Sequence, residues 1–407
     1  MKTGHAVCFA LLLTATPGLA QTVENPATAA GTAAPAPKKE EHPKKEEHWY
    51  EKIKIRGYSQ IRYNRLFANN NDYINEQGDR SLADDGGFFI RRGRIIIYGD
   101  VHEHVYVYLQ PDVANVLSDT MTHAIALRDW YTDVAIDKKK EFRFRIGQSK
   151  VPYGFENMQS SQNRLPFDRS DSINSAVSNE RDLGVFFYWA PHHIRARFKE
   201  LVDSGLKGAG DYGVLAWGIY NGQTANRKEL NDNKHLVARV TYPFKFGKQF
   251  VEASLQGYTG QYVIDRDPKV LTAGSNDTFR DSRGAATLVI YPQPFGFQIE
   301  YNIGIGPELD PSANMIKEQR LYGGYAMMMY KVGDFLPYVR VWNYEGGKKH
   351  EKNAPNYTVR ELETGVEWLP WKNFELTAAF AYGDRTNPKS HTQEIGHRVR
   401  LQAQFNY

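Results

Sequence analysis

The stretch from His397 to Tyr407 sets the tightest limit on what this chain can fold into. Val399, Leu401, Ala403, Phe405 and Tyr407 alternate with Arg398, Arg400, Gln402, Gln404 and Asn406. Successive side chains of a β-strand point to opposite faces, so the segment reads as a strand with one apolar and one polar face. Two surroundings satisfy such a strand. In a soluble sandwich the apolar face meets a second sheet; in a membrane-spanning barrel it meets lipid.

The same alternation recurs upstream. Ile53, Ile55, Ile61 and Tyr63 oppose Lys54, Arg56, Gln60 and Arg62, and Phe142, Phe144 and Ile146 oppose Arg143 and Arg145. Phe295, Phe297, Ile299, Tyr301, Ile303 and Ile305 oppose Gly296, Gln298, Glu300, Asn302 and Gly304. Leu362, Thr364, Val366 and Trp368 oppose Glu361, Glu363, Gly365 and Glu367. Soluble strands average about 5–6 residues, so dyads this long, charged on one face, suit strands between lipid and water. The pattern predicts an all-β, transmembrane antiparallel β-barrel of about sixteen strands, an even number as single-chain bacterial barrels require.

Connection lengths alternate as such a barrel demands, with short turns at one end and long loops at the other. Short connections fall at 138–139, 244–248, 332 and 370–371; long ones include 68–86, 114–124, 149–181, 261–282 and 385–393. Residues 191–210 break the rule, being long where a short turn is expected. Within them, Ile194 to Leu206 reads as a short amphipathic helix.

The N-terminus carries an export signal. Lys2 and His5 precede the apolar run 6–13, and Gly18 and Ala20 occupy the −3 and −1 positions of a cut after Ala20. The run is too short to span a membrane, so 1–20 is predicted to be a signal peptide. Cys8, the single cysteine, lies within it, which excludes disulfide scaffolds and thiolate zinc sites from the mature chain. Residues 21–48 hold little to bury and are predicted to be a disordered periplasmic tail, leaving 49–407 as the barrel. Aromatic residues make up 13% of the chain, 25 of them tyrosine, which suits interface girdles. Mean hydropathy is only −0.58, as expected where alternate residues face lipid.

Four motifs carry a family resemblance. They are Phe89-Ile90-Arg91-Arg92-Gly93-Arg94, Leu127-Arg128-Asp129-Trp130-Tyr131, Arg145-Ile146-Gly147-Gln148-Ser149-Lys150-Val151-Pro152-Tyr153 and Arg181-Asp182-Leu183-Gly184-Val185. In this order they resemble the phosphate-selective porin O and P family of bacterial outer-membrane porins, most strongly over 87–190. The terminal strand with its aromatic last residue is similar to the closing strand of outer-membrane barrels. The resemblance implies a sixteen-stranded, usually trimeric barrel in the bacterial outer membrane, with a third loop folded into the lumen and passage of anions such as phosphate.

The long connection 149–181 is the expected constriction. Basic residues in a narrow, low-dielectric constriction favour anions, and the planar arginine fork suits phosphate. Candidate pore-lining or anion-binding residues are Arg128, Arg143, Arg145, Lys150, Arg164, Arg169 and Arg181. For any one of them, an ion pair bracing the wall is the plainer role. Removing the five basic and five acidic residues of 1–48 from totals of 51 and 47 leaves a nearly balanced barrel, so the expected anion preference is modest. The expected partners are small anions or other small solutes, outer-membrane lipid and lipopolysaccharide, and two further copies of the chain; no nucleic acid is expected.

Other chemistries find less support. His102, Glu103 and His104 could hold a metal, but they sit at a turn without further ligands nearby. His192 and His193 share that weakness. Asp84 and Asp85, near Asn69, Asn70, Asn71 and Asp72, read as solvated loop before a calcium site. No hydrolase, P-loop or dinucleotide fingerprint occurs, so neither catalysis nor a cofactor is expected. The rival from another class is a secreted all-β enzyme or glycan-binding protein with a sandwich core.

Overall fold

The computed structural model describes residues 48–68, 86–113, 124–386 and 392–407. The signal peptide and nearly all of the 21–48 tail, together with Asp84, Asp85 and the 69–72 cluster, lie outside the described residues. After a short 3-10 turn (Trp49–Lys52), the strands are β1 (Lys54–Ala68), β2 (Gly87–His102), β3 (Val105–Asp112), β4 (Ala126–Ala135), β5 (Phe142–Lys150), β6 (Arg181–Trp189), β7 (Leu215–Tyr220) and β8 (His235–Phe246). They continue as β9 (Gln249–Val263), β10 (Leu271–Thr272), β11 (Thr278–Ile290), β12 (Phe295–Asp310), β13 (Met315–Tyr330), β14 (Phe335–Gly347), β15 (Asn356–Trp371), β16 (Phe374–Thr386) and β17 (Gln393–Asn406).

Each wall strand pairs antiparallel with its neighbours, and β17 pairs back onto β1, closing the sheet. The two-residue β10 pairs parallel with the start of β13 and belongs to a loop, so the wall has sixteen strands, as the alternation predicts. At the seam, Ile61 faces Ala403 and Tyr63 faces Leu401, while Gln60 faces Gln404 and Arg62 faces Gln402. A one-residue slip would exchange the two sets, so the opposed faces fix the register. Gly57 and Tyr407 exchange backbone hydrogen bonds of 2.6 and 3.0 Å. A Cβ at Gly57 would lie 2.4 Å from the Tyr407 ring, so the close approach of the terminal ring requires glycine there.

The packing inverts that of a soluble protein. On β17, Arg400 is 2% exposed whereas Leu401 is 41% exposed. The outer face of the sheet carries Phe380, Leu362, Val366, Val339, Val341, Val399 and Phe405. Arg62, Arg340, Arg398, Glu300, Glu363 and Glu367 are buried on the inner face. Only surrounding lipid satisfies that exterior, and the closed ladder leaves no unpaired strand edge within it.

Two departures from the alternation have physical reasons. β9 and β11 were expected to end near 260 and begin near 283, but their pairing continues to Val263 and Thr278, so the hairpin ladder projects past the apolar band. β7 begins at Leu215 instead of near 211, because Tyr212 turns away from the sheet and donates from its hydroxyl to Met158 O at 3.4 Å.

Candidate functional site

The connection between β5 and β6, residues 151–180, carries two short helical turns, Phe155–Met158 and Asp171–Asn174. Lys150 anchors its start by donating to the carbonyls of Met158 and Gln159 at 3.0 and 2.5 Å. The segment then packs against the polar inner face of strands far around the circuit. Phe155 N donates to Glu300 of β12 at 2.7 Å, and Glu156 pairs with Arg340 of β14 at 2.6 Å. Asn302 of β12 donates to Ser172 O, Arg283 of β11 to Ser175 Oγ, and Tyr258 of β9 to Ala176 O. Lys348 pairs with Asp171 at 2.8 Å.

Apolar side chains pin the same segment. Leu165 packs with Met327, Met329, Leu336 and Tyr338, and Ile173 with Leu321, Tyr325 and Trp342. The strand period splits the three consecutive methionines 327–329 of β13: Met327 and Met329 face inward under Leu165, while Met328 is exposed on the outer face. Burying side chains of this size contributes about 1.5–3 kcal/mol each, which holds a loop of this length in one place.

Two loop carboxylates organise the basic residues. Asp168 meets Arg62 of β1 at 3.0 Å, Arg400 of β17 at 2.9 Å and Arg91 of β2 at 3.4 Å. The Phe167 ring lies between Arg62 and Arg400, 4.8 and 5.0 Å from their guanidinium carbons. Glu180 meets Arg128 at 3.1 Å, Arg181 at 2.9 Å, and Arg169. Burial alone would raise both carboxyl pKa values; the surrounding guanidiniums outweigh it and hold each well below the usual carboxylate range.

The seven residues singled out in the sequence fall into three groups. Five are ion-paired: Arg128, Arg169 and Arg181 on Glu180, with Arg181 also on Asp129 at 2.9 Å, Arg145 on Asp133 at 2.7 Å, and Arg143 on Asp211 at 2.9 Å. Lys150 caps backbone carbonyls. Arg164 donates to the carbonyls of Pro166 and Phe167, each at 3.3 Å, and its Nη1 has no hydrogen-bond partner. Burial, followed by the nearby Arg169, lowers the Arg164 pKa to about 10. The site also includes Arg62, Arg91, Arg92 and Arg400. Arg92 is buried, donates to Gln60 Oε1 at 2.7 Å and has no carboxylate partner among the described residues. Alternation marks Arg62 and Arg400 as inward-facing, but the inward position of Arg92 and its lack of an acid depend on pairing and loop contacts that no sequence pattern encodes.

A second segment crosses the bore from the short-turn end. The connection between β6 and β7 begins with the helix His192–Asp203, close to the predicted one. Its Ile194, Phe198 and Leu201 pack with Phe250, Val289, Tyr291 and the loop residue Phe155. The chain then runs inward, and Gln159 donates to Lys207 O at 2.5 Å. Lys207 Nζ pairs with Glu367 of β15 at 2.5 Å and lies 3.9 Å from Glu375 of β16. Those strands lie half the sixteen-strand circuit from β6 and β7, so this strap spans the full width of the bore.

The fold has solved counterparts. An anion-selective porin from Comamonas acidovorans is 8% identical, with 87% of this chain and 99% of that one covered and a TM-score of 0.50. Salmonella typhi OmpF, solved with daunomycin, is 12% identical, with 87% and 97% covered and a TM-score of 0.51. Vibrio cholerae OmpT, solved in a trimer form, is 13% identical, with 88% and 100% covered and a TM-score of 0.48. No curated protein sequence matches the chain significantly. The family profile described as phosphate-selective porin O and P matches residues 64–407, nearly the whole barrel, and the chain belongs to that family of outer-membrane channels.

Proposed function

We propose that this channel passes small hydrophilic solutes by passive diffusion with a preference for anions, and that residues 151–180 are its lumen-folded third loop and constriction. The observation that carries the reading is the local charge ratio. Each of the two organising carboxylates, Asp168 and Glu180, is shared by three arginines; Arg400 also meets Glu363 at 2.7 Å and Arg181 also meets Asp129, but Arg92 and Arg164 have no carboxylate partner among the described residues. The barrel as a whole is nearly balanced; its constriction is not. One uncompensated charge about 6 Å from a permeating ion contributes roughly 1–3 kcal/mol at effective dielectric constants between those of water and a protein surface. Even the lower figure is enough to discriminate chloride from potassium.

The ion-paired arginines of the original seven, Arg128, Arg143, Arg145, Arg169 and Arg181, brace the walls; Arg92 and Arg164, buried without a carboxylate partner among the described residues, supply the uncompensated positive field. The outer apolar band supports lipid and lipopolysaccharide as surroundings, and the family resemblance supports assembly as a homotrimer. The polar buried face of the closed barrel disfavours the secreted sandwich alternative, and no catalytic step forms part of this reading.

Neutralising the two unpaired arginines tests it. In planar bilayers under a KCl gradient, Arg92→Gln with Arg164→Gln shifts the zero-current potential several-fold toward the non-selective value. An unchanged potential in the double variant overturns the assignment.

A further inference from the structure

Behind the constriction lies a cavity of about 940 Å³, bounded by the strap, by loop residues 158–163, by the inner wall of β1–β5 and, across from it, by the β13–β14 and β15–β16 turns, which bring Lys331, Asp334, Lys372 and Glu375. A volume of that order accommodates a small organic molecule with room to spare. Its wall differs from the constriction. Tyr98 of β2, Tyr108 of β3 and Tyr131 of β4 are direct cross-strand partners, giving an in-register row of three phenol rings on neighbouring strands. Tyr108 and Tyr131 are stacked, with centroids 5.0 Å apart and planes 13° apart, and Tyr98 lies 6.4 Å from Tyr108. Tyr212 of the strap also lines the cavity, its ring centroid 5.8 Å from the Arg145 guanidinium carbon.

Such a row is more than wall packing. Tyr98 and Tyr108 are half-buried and line the cavity, so part of each ring is open to it. Two cations flank the row in different states. Arg145 is held by both oxygens of Asp133, at 2.7 and 2.9 Å, and covers the Tyr131 ring at 3.8 Å, so its charge is committed. Arg56 is exposed and lines the cavity, its guanidinium carbon over one side of the Tyr98 ring at 5.5 Å, and forms no ion pair among the described residues. An open cation beside an open aromatic surface complements a ligand with a negative group at one end and a flat apolar ring at the other. Inorganic anions use only the first half of that surface.

We propose that this chamber is a binding subsite for a small aromatic carboxylate, with its carboxylate on Arg56 and its ring against Tyr98 and Tyr108. The proposal rests on the anion-preferring reading above and names an organic solute class for it. The carboxylate gains a charge-assisted hydrogen bond, and the ring gains offset stacking that acetate cannot make. The strap positions the chamber: with Lys207 on Glu367, Tyr212 stays on the cavity wall.

Benzoate and acetate, which share the anionic group, separate the two contributions. Purified full-length channels in planar bilayers carry a KCl current, and each anion is titrated for partial block. Wild-type channels are half-blocked by benzoate at a roughly fivefold lower concentration than by acetate, the worth of one aromatic contact. Tyr98→Ala abolishes the preference, Tyr98→Phe keeps it, and Arg56→Gln weakens block by both anions. Tyr98 makes no side-chain hydrogen bond among the described residues, so its truncation is compatible with folding, and a heat-modifiable band verifies each variant. Equal block of the wild type by both anions, or a preference that survives Tyr98→Ala, overturns the subsite. A cation-selective wild type overturns the underlying reading instead; an anion-selective pore indifferent to the ring overturns this inference alone.

Discussion

The two segments that pack on the inner-face residues are fastened with opposite polarity. The loop 151–180 brings acids, Asp168 and Glu180, to arginines of the wall; the strap 204–213 brings a base, Lys207, to Glu367 and Glu375 of the wall. The fastenings also differ in number. The loop is tied at β1, β2, β9, β11, β12, β14 and β17 and pinned by Leu165 and Ile173, whereas the strap beyond its helix reaches the far wall through Lys207. Along the wall, the Glu367 and Glu375 pair, offset by one ammonium, lies nearer the short-turn end than the guanidinium cluster on Glu363 and Asp168. A nearly neutral barrel can therefore carry a strongly directional charge pattern.

Removing one anchor from each segment breaks the comparison in opposite directions. Asp168→Asn leaves Arg62, Arg91 and Arg400 without their shared acid, and breaking a buried pair this way costs about 3–5 kcal/mol of local stability. The expected outcome is a zero-current potential shifted further toward anions, with noisier open-channel current as the loop loosens. A shift toward cations would show that Asp168 does not compensate these arginines. Lys207→Gln is the converse. It frees the Glu367 and Glu375 carboxylates, shifts the potential toward cations and raises conductance by a factor of about two as the strap swings aside; breaking this buried pair also costs about 3–5 kcal/mol of local stability, while the helix stays anchored at Ile194, Phe198 and Leu201. Conductance equal to wild type would mean that the strap does not narrow the path.

Acid has the smallest expected effect. The native pKa values of Asp168 and Glu180 lie well below the ordinary range, so their holding free energy is complete above the unfolded values and is lost only as pH falls through the native ones. Conductance and selectivity are expected to hold from pH 7 to about pH 4, where unperturbed carboxylates titrate. A transition centred at pH 5 or above would place the controlling carboxylates elsewhere.

Alternation made the wall legible because lipid and water impose a period of two on every spanning strand. It placed Arg62, Arg398 and Arg400 inward and Leu401 and Phe405 outward, and it found the helix after β6. It could not supply register, and the tyrosine row exists only in register: Tyr98, Tyr108 and Tyr131 are scattered in sequence and adjacent only once β2, β3 and β4 pair. Nor could it separate committed from uncompensated arginines. Arg145 and Arg92 are alike in sequence as basic residues beside apolar ones, yet the first is clamped on Asp133 and the second, among the described residues, reaches an amide oxygen and no acid. The distinction arises from tertiary contacts, chiefly those of a loop whose own composition shows no period.

The sign of the wild-type zero-current potential across a KCl gradient tests the central claim most directly. Surplus guanidinium at the constriction predicts a clear anion preference, with chloride more permeant than potassium several-fold; a cation-selective pore would contradict the account.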